Sequence, residues 1–276
     1  MIFLKLIVEN VKIKLNKIND IIEQYQSNYI SYYKELDLCR EYWRDSYVGY
    51  FLEQIEEEKK DNQLFYEEIC SLKNIYDLII KSYQEYGNNI DFNLDTDILV
   101  KLDSYEESLK NIIKRYENLD SSFCGREHYM LMEEKELLNK NKDNIISLKD
   151  KYKLIIENIL KCEKDIKLSL SKINVKKIKE SDSEFHFSND VSKISVKIDL
   201  IGDIVKKLIF FVNDNDVLFE SLNEVINIFG YDTDNSDVLK EIEKDIIVKF
   251  RIINANKKNN ILVLNNVMEK YRNMVY

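Results

Sequence analysis

The chain has 276 residues, 45% hydrophobic and 33% charged, so a packed core under a well-solvated surface is within reach. Its net charge of −9 opposes a phosphate backbone, and no nucleic-acid partner is expected. Five glycines and no proline exclude sandwiches, barrels and α/β folds, which need turn chemistry at short intervals, and leave a few long helices.

Met1 to Val8 is apolar apart from Lys5, but it lacks the basic start and small-residue cleavage site of a secretory signal. No stretch reaches the roughly 20 apolar residues of a membrane span, so no membrane insertion is expected. The first long pattern runs from Val11 to Trp43. Val11, Leu15, Ile18, Ile22, Tyr25, Tyr29, Tyr32, Leu36, Cys39 and Trp43 step alternately by four and three residues. That spacing draws one apolar stripe along a helix of about nine turns. Trp43-Arg44-Asp45-Ser46 breaks it. A second stripe follows through Val48, Phe51, Ile55, Phe65, Ile69, Leu72, Tyr76, Ile79 and Tyr83, interrupted only by the polar Glu58 and Asn62. Two long stripes joined by a short break predict an antiparallel helical hairpin over residues 1–88, closed near Gly87-Asn88-Asn89.

A second hairpin, 89–180, opens at Asp91-Phe92-Asn93-Leu94. Its first helix carries Ile98, Leu102, Tyr105, Leu109, Ile112, Tyr116, Leu119 and Phe123; Phe123-Cys124-Gly125 breaks it. The returning helix carries Leu138, Ile145, Leu148, Tyr152, Ile155, Ile159, Cys162 and Ile166. Residues 71–80 and 147–156 match at seven of ten positions, which supports a repeat. The polar stretch Ser181 to Asn189 reads as a linker, with Phe185-His186-Phe187 as a short extended segment. The basic cluster Lys172, Lys176, Lys177 and Lys179 reads as a solvated helix end.

A third hairpin, 190–276, has a first stripe from Ile198 through Val205, Leu208, Asn215 and Leu222 to Phe229, then a turn at Gly230 to Ser236. Its return helix carries Leu239, Ile242, Ile246, Ile253, Leu264, Val267 and Tyr271. The polar run Asn254 to Asn260 weakens that pattern, and a kink or fraying is expected there. The fold class is therefore all-α: three tandem antiparallel long-helix hairpins packed as helical bundles. Two of them can pair as a four-helix bundle, the third lying against it or binding another molecule. Trp43, Phe123 and Phe229, each beside a turn, are the expected caps of narrow hairpin tips.

No phosphate loop, dinucleotide fingerprint, zinc-protease or nucleophile-elbow pattern is present, and no enzyme activity, cofactor or metal is expected. His128 has Cys124 four residues before it but lacks the two further ligands of a zinc site. Asp232, Asp234 and Ser236 lack the glycine of a calcium loop, for Asp237 stands at its sixth position. The four cysteines form no Cys-x-x-Cys pair and suit free thiols in a reducing compartment, disulfides being the lesser alternative.

Helix, Trp-x-Gly-like turn, helix, in units of about 85 residues, resembles the WXG family and its LXG relatives, helical hairpins associated with type VII secretion. The matching segments are Trp43-Arg44-Asp45, Phe123-Cys124-Gly125 and Ile228-Phe229-Gly230. Asp45 stands where the family has glycine, and Phe123 where it has tryptophan. The tail signal, Tyr followed four residues later by an acid after the second helix, is absent. The resemblance implies a non-enzymatic adaptor or chaperone-like protein that engages an effector or secretion component by helix packing. Its partner-binding candidates are Trp43, Asp45, Phe123, Gly125, Phe229 and Gly230. It implies a cytoplasmic protein, with export by a signal-peptide-independent route and homodimerisation left open. The alternative is a structural component of a phage or surface assembly.

Overall fold

The computed structural model describes residues 2–94, 97–120, 122, 124–173, 176–180 and 195–274. The linker at 181–189, with its Phe185-His186-Phe187 segment, and Phe123 lie outside the described residues. Six long helices dominate: α1 (Val8–Asp37), α3 (Ser46–Tyr83), α4 (Asp97–Asp120), α5 (Arg126–Leu170), α6 (Ile198–Ile226) and α7 (Ser236–Met274), with one short turn of helix, α2 (Cys39–Tyr42), after α1. The chain is all-α, as the long stripes and missing prolines predict.

Short strands fasten the helix ends. β1 (Ile2–Ile7) lies at the centre of a three-stranded antiparallel sheet between β3 (Asn89–Leu94) and β5 (Tyr231–Asp232). β2 (Trp43–Arg44) pairs with β4 (Ser195–Val196), Trp43 opposite Val196. The apolar start of the chain is therefore sheet core, with Leu4 and Leu6 buried.

α1 and α3 form the first hairpin and α6 and α7 the third. The two pack head to tail as a four-helix bundle, α1 beside α6 and α3 beside α7. The β2–β4 pairing sets the start of α6 at the tip of the first hairpin, and the β1–β5 pairing sets the α6–α7 turn at its base. α1 is thus covered by two helices. Its buried set includes Lys14, Ile21 and Asn28 beside the predicted stripe. Tyr25, Phe65 and Phe250 interlock in mid-bundle, their ring centroids 5.0–5.3 Å apart. Edge-to-face packing of this kind fills a wide seam without voids.

The expected fraying in α7 does not occur, for the helix runs unbroken through Asn254 to Asn260. Asn254, Asn256, Lys257 and Asn260 of this run are buried, Asn254 donating to Asp216 of α6 at 3.3 Å. Asn260 donates to Glu58 at 2.7 Å, and Asn62 accepts from Tyr25 at 2.7 Å and donates to Tyr33 at 2.8 Å. A second buried level joins Glu68 of α3 to Lys249 of α7 at 2.6 Å. A third joins Lys14 of α1 to Glu243 of α7 at 2.9 Å, with the Tyr76 hydroxyl donating to the same carboxylate. Buried charges are costly unless paired, so one alignment of the two hairpins is favoured over any shifted one.

The second hairpin stands apart. The last third of α5 docks against α3 through the buried Ile159, Ile166 and Leu170, while α4 packs on the remainder of α5. After α5, Ile178 is buried and the carbonyl of Lys179 accepts from Asn256 at 3.1 Å, so the expected solvated helix end lies partly against the bundle.

Candidate functional site

The residues singled out in the sequence fall into three settings. Trp43 is fully buried at the tip of the first hairpin, 5.6 Å from the Phe51 ring, among Leu36, Cys39, Ile201 and Leu264. It caps the seam as expected, and the third hairpin covers it. Asp45, in the glycine place of the Trp-x-Gly pattern, caps α3: its Oδ1 accepts from the backbone N–H of Tyr47 at 2.7 Å and of Val48 at 3.0 Å. Its Oδ2 accepts from the Tyr271 hydroxyl at the far end of α7. Burial, followed by that carboxylate, raises the Tyr271 pKa.

Phe229 departs from the tip-capping expectation. α6 stops at Ile226, so the seven-residue stripe does not reach it. The ring is 45% exposed, with the Lys5 ammonium 5.8 Å from its centroid. Tyr231 takes the buried place instead. Gly230 is set by close approach: a Cβ there would lie 2.9 Å from Val11 Cγ2, and its carbonyl accepts from Ile7 N–H at 2.8 Å. Gly125 has φ of +67° at the start of α5, a left-handed value that favours glycine at this turn. Cys124 beside it is exposed, and all four cysteines are free. Burial pushes the Cys39 thiol up to about 12, which leaves it inert.

Of these residues the structure brings only Phe229 and Gly230 together, at the rim of a cavity by the α6–α7 turn. The distinctive surface lies instead on the second hairpin. In α4 the predicted stripe divides into two rows. Leu102, Leu109 and Tyr116 are half-buried toward α5, while Ile98, Tyr105, Ile112 and Leu119, one every seven residues, remain exposed, Tyr105 at 62%. On α5, Leu137 and Leu148 are exposed as well. Between the helices runs a shallow groove lined by Tyr105, Leu109, Ile112, Asn141, Asn144 and Ile145. The charged residues Asp103, Glu107, Lys114, Asp143 and Asp150 are also exposed on this hairpin.

Heptad spacing alone does not tell this surface from a core. In α1 the same spacing is buried because α3 and α6 flank it; among the described residues α4 packs chiefly on α5. The hairpin is nonetheless firmly built. Lys149 of α5 pairs with Asp103 and with Glu106 of α4, the latter at 3.0 Å, and the Tyr116 hydroxyl donates to Glu134 at 2.8 Å.

Its base is clasped by Glu163 of α5. This carboxylate accepts from the hydroxyls of Tyr83, Tyr231 (2.9 Å) and Thr233 (3.0 Å) and from the Asn235 amide (2.7 Å). All three hairpins meet at that one side chain. Burial and the adjoining carboxylate raise the pKa values of both tyrosines, so they stay protonated donors.

Among the described residues no cluster of His, Cys, Asp and Glu could hold a metal ion, and no helix is long and apolar enough to cross a membrane. No protein family, curated protein or solved structure matches the chain.

Proposed function

We propose that the chain is a non-enzymatic helical adaptor whose α4–α5 hairpin takes an amphipathic helical partner on its uncovered apolar face. The observation that carries this reading is the exposed row Ile98, Tyr105, Ile112 and Leu119 on a hairpin locked at its base. The other two hairpins carry the same spacing and close each other's seams, so the missing occupant is a helix or hairpin with a matching apolar stripe. Lys101, Ser108 and Arg115 follow that row three residues on and are exposed, which favours a partner with acidic flanks.

Tyr105→Asp/Ile112→Asp tests it. Both sites are exposed, so the fold should survive. A partner purified with the wild type from the source cell should be lost from the double variant, and reconstitution should slow amide exchange along α4. Equal recovery by the variant, or protection confined to the bundle, would count against the proposal.

A type VII-like setting is the finer reading. Its support is a tryptophan at the tip of a hairpin whose helices are entered through short strands, and the alternative is a phage or surface assembly. Genes for a secretion ATPase beside this one support the first, and virion genes the second.

A further inference from the structure

A cavity of about 270 Å³ opens at the other end of the bundle, between the base of the first hairpin and the turn of the third. Its lining includes the buried Lys14, Tyr76 and Glu243, the apolar Ile226 and Leu239, and the exposed Phe229. Lys240 and Lys244, one helical turn apart on α7, also line it and are exposed.

Two features set this space apart. It reaches into the core as far as the buried Lys14, Tyr76 and Glu243, whereas in mid-bundle the rings of Tyr25 and Phe65 close the seam. Its lining is also electropositive in an acidic chain, with three lysines against one glutamate where the whole protein carries −9. Glu243 is already engaged by Lys14 at 2.9 Å and by the Tyr76 hydroxyl, and Lys240 is held only by the exposed Asp237 at 3.9 Å, so Lys244 and Lys240 are placed to meet an incoming charge. Apolar walls with a few charged groups are the usual make-up of a small-molecule site.

We infer that this cavity binds a small organic anion, an apolar ring or short chain bearing one carboxylate or phosphate group. The apolar body lies against Ile226 and Leu239, and the anionic group sits between Lys240 and Lys244. Because α1, α3 and α7 all line the cavity, the ligand bridges the two paired hairpins.

Titration calorimetry and thermal unfolding with benzoate, phenyl phosphate and benzyl alcohol test this on the full chain. At least one anion should bind and raise the melting temperature with dose, while the neutral alcohol does neither. The tighter of the two anions assigns the head group. Lys240→Gln/Lys244→Gln, which alters only exposed side chains, should bind that anion about tenfold more weakly. Failure of both anions, equal binding of the alcohol, or unchanged affinity in the double variant overturns the assignment.

Discussion

Glu58 on α3 and Asn260 on α7 meet at 2.7 Å in the middle of the bundle, although each breaks the apolar pattern of its own helix. Burial lifts the Glu58 carboxyl from 4.5 to about 7, against the pull of Asn260 and of the Lys257 charge. Lys257 is fully buried, its ammonium 5.2 Å from the Tyr25 ring centroid and 5.1 Å from that of Tyr32, without a hydrogen-bond acceptor. Burial lowers it from 10.5 to about 7, against the opposing pull of Glu58.

The pH dependence of stability follows from both shifts. Between pH 4.5 and 7 the folded chain keeps a proton on Glu58 that the unfolded chain has released, so stability falls as pH rises. Between pH 7 and 10.5 the folded chain has lost the Lys257 proton that the unfolded chain keeps, so stability rises again. The fall on the acid side is about 3 kcal/mol at 1.36 kcal/mol per unit. Denaturant titrations of the wild type and of Glu58→Gln/Lys257→Met should show a difference with its minimum near neutral pH. A difference that does not vary with pH would remove this account.

Glu68 and Lys249 should behave as an obligatory pair, each almost wholly buried at 2.6 Å. Glu68→Ala leaves an ammonium in the core with only Asp245 beside it, and should cost about 3–5 kcal/mol. Glu68→Met/Lys249→Met removes both charges and should restore most of that loss. Equal destabilisation by the single and the double variants, read from denaturation midpoints at constant slope, would show that packing rather than charge dominates.

These levels explain what was legible in the sequence. Heptad steps placed every long helix, because one buried side per helix is enough to print the pattern. The breaks near Gly87, Gly125 and Gly230 were readable too, and the long helices stop short of each of them. Polar interruptions were not, since Glu58 makes sense only once Asn260, 202 residues away, is set beside it. The exposed row of α4 was equally hidden: Tyr105 and Tyr25 occupy the same kind of heptad position, and only the number of neighbouring helices separates surface from core. Phe229 was misplaced because a stripe was carried past the end of its helix.

Glu163 should govern the second hairpin without governing the bundle. Glu163→Ala removes the shared acceptor of Tyr83, Tyr231, Thr233 and Asn235 and should cost about 2 kcal/mol. Hydrogen exchange should quicken in α5 near Ile159 and Ile166 and stay slow in α1 and α7. Uniform acceleration along the chain would mean that the clasp stabilises the whole fold rather than the arm.

Gly230 gives the sharpest steric test. Gly230→Ala puts a methyl 2.9 Å from Val11 Cγ2 and 3.4 Å from the Val11 backbone nitrogen. Valine is stiff about its first side-chain torsion, so it cannot rotate away freely, and the strain should cost about 1–3 kcal/mol. Val11→Ala alone leaves a hole and should also destabilise. The double variant exchanges the hole for the new methyl and should be more stable than the sum of the single effects by about 1 kcal/mol. Strict additivity of the melting shifts would mean that the α6–α7 turn is held against α1 by its hydrogen bonds, such as Asn10 to the Phe229 carbonyl at 2.6 Å, without this contact.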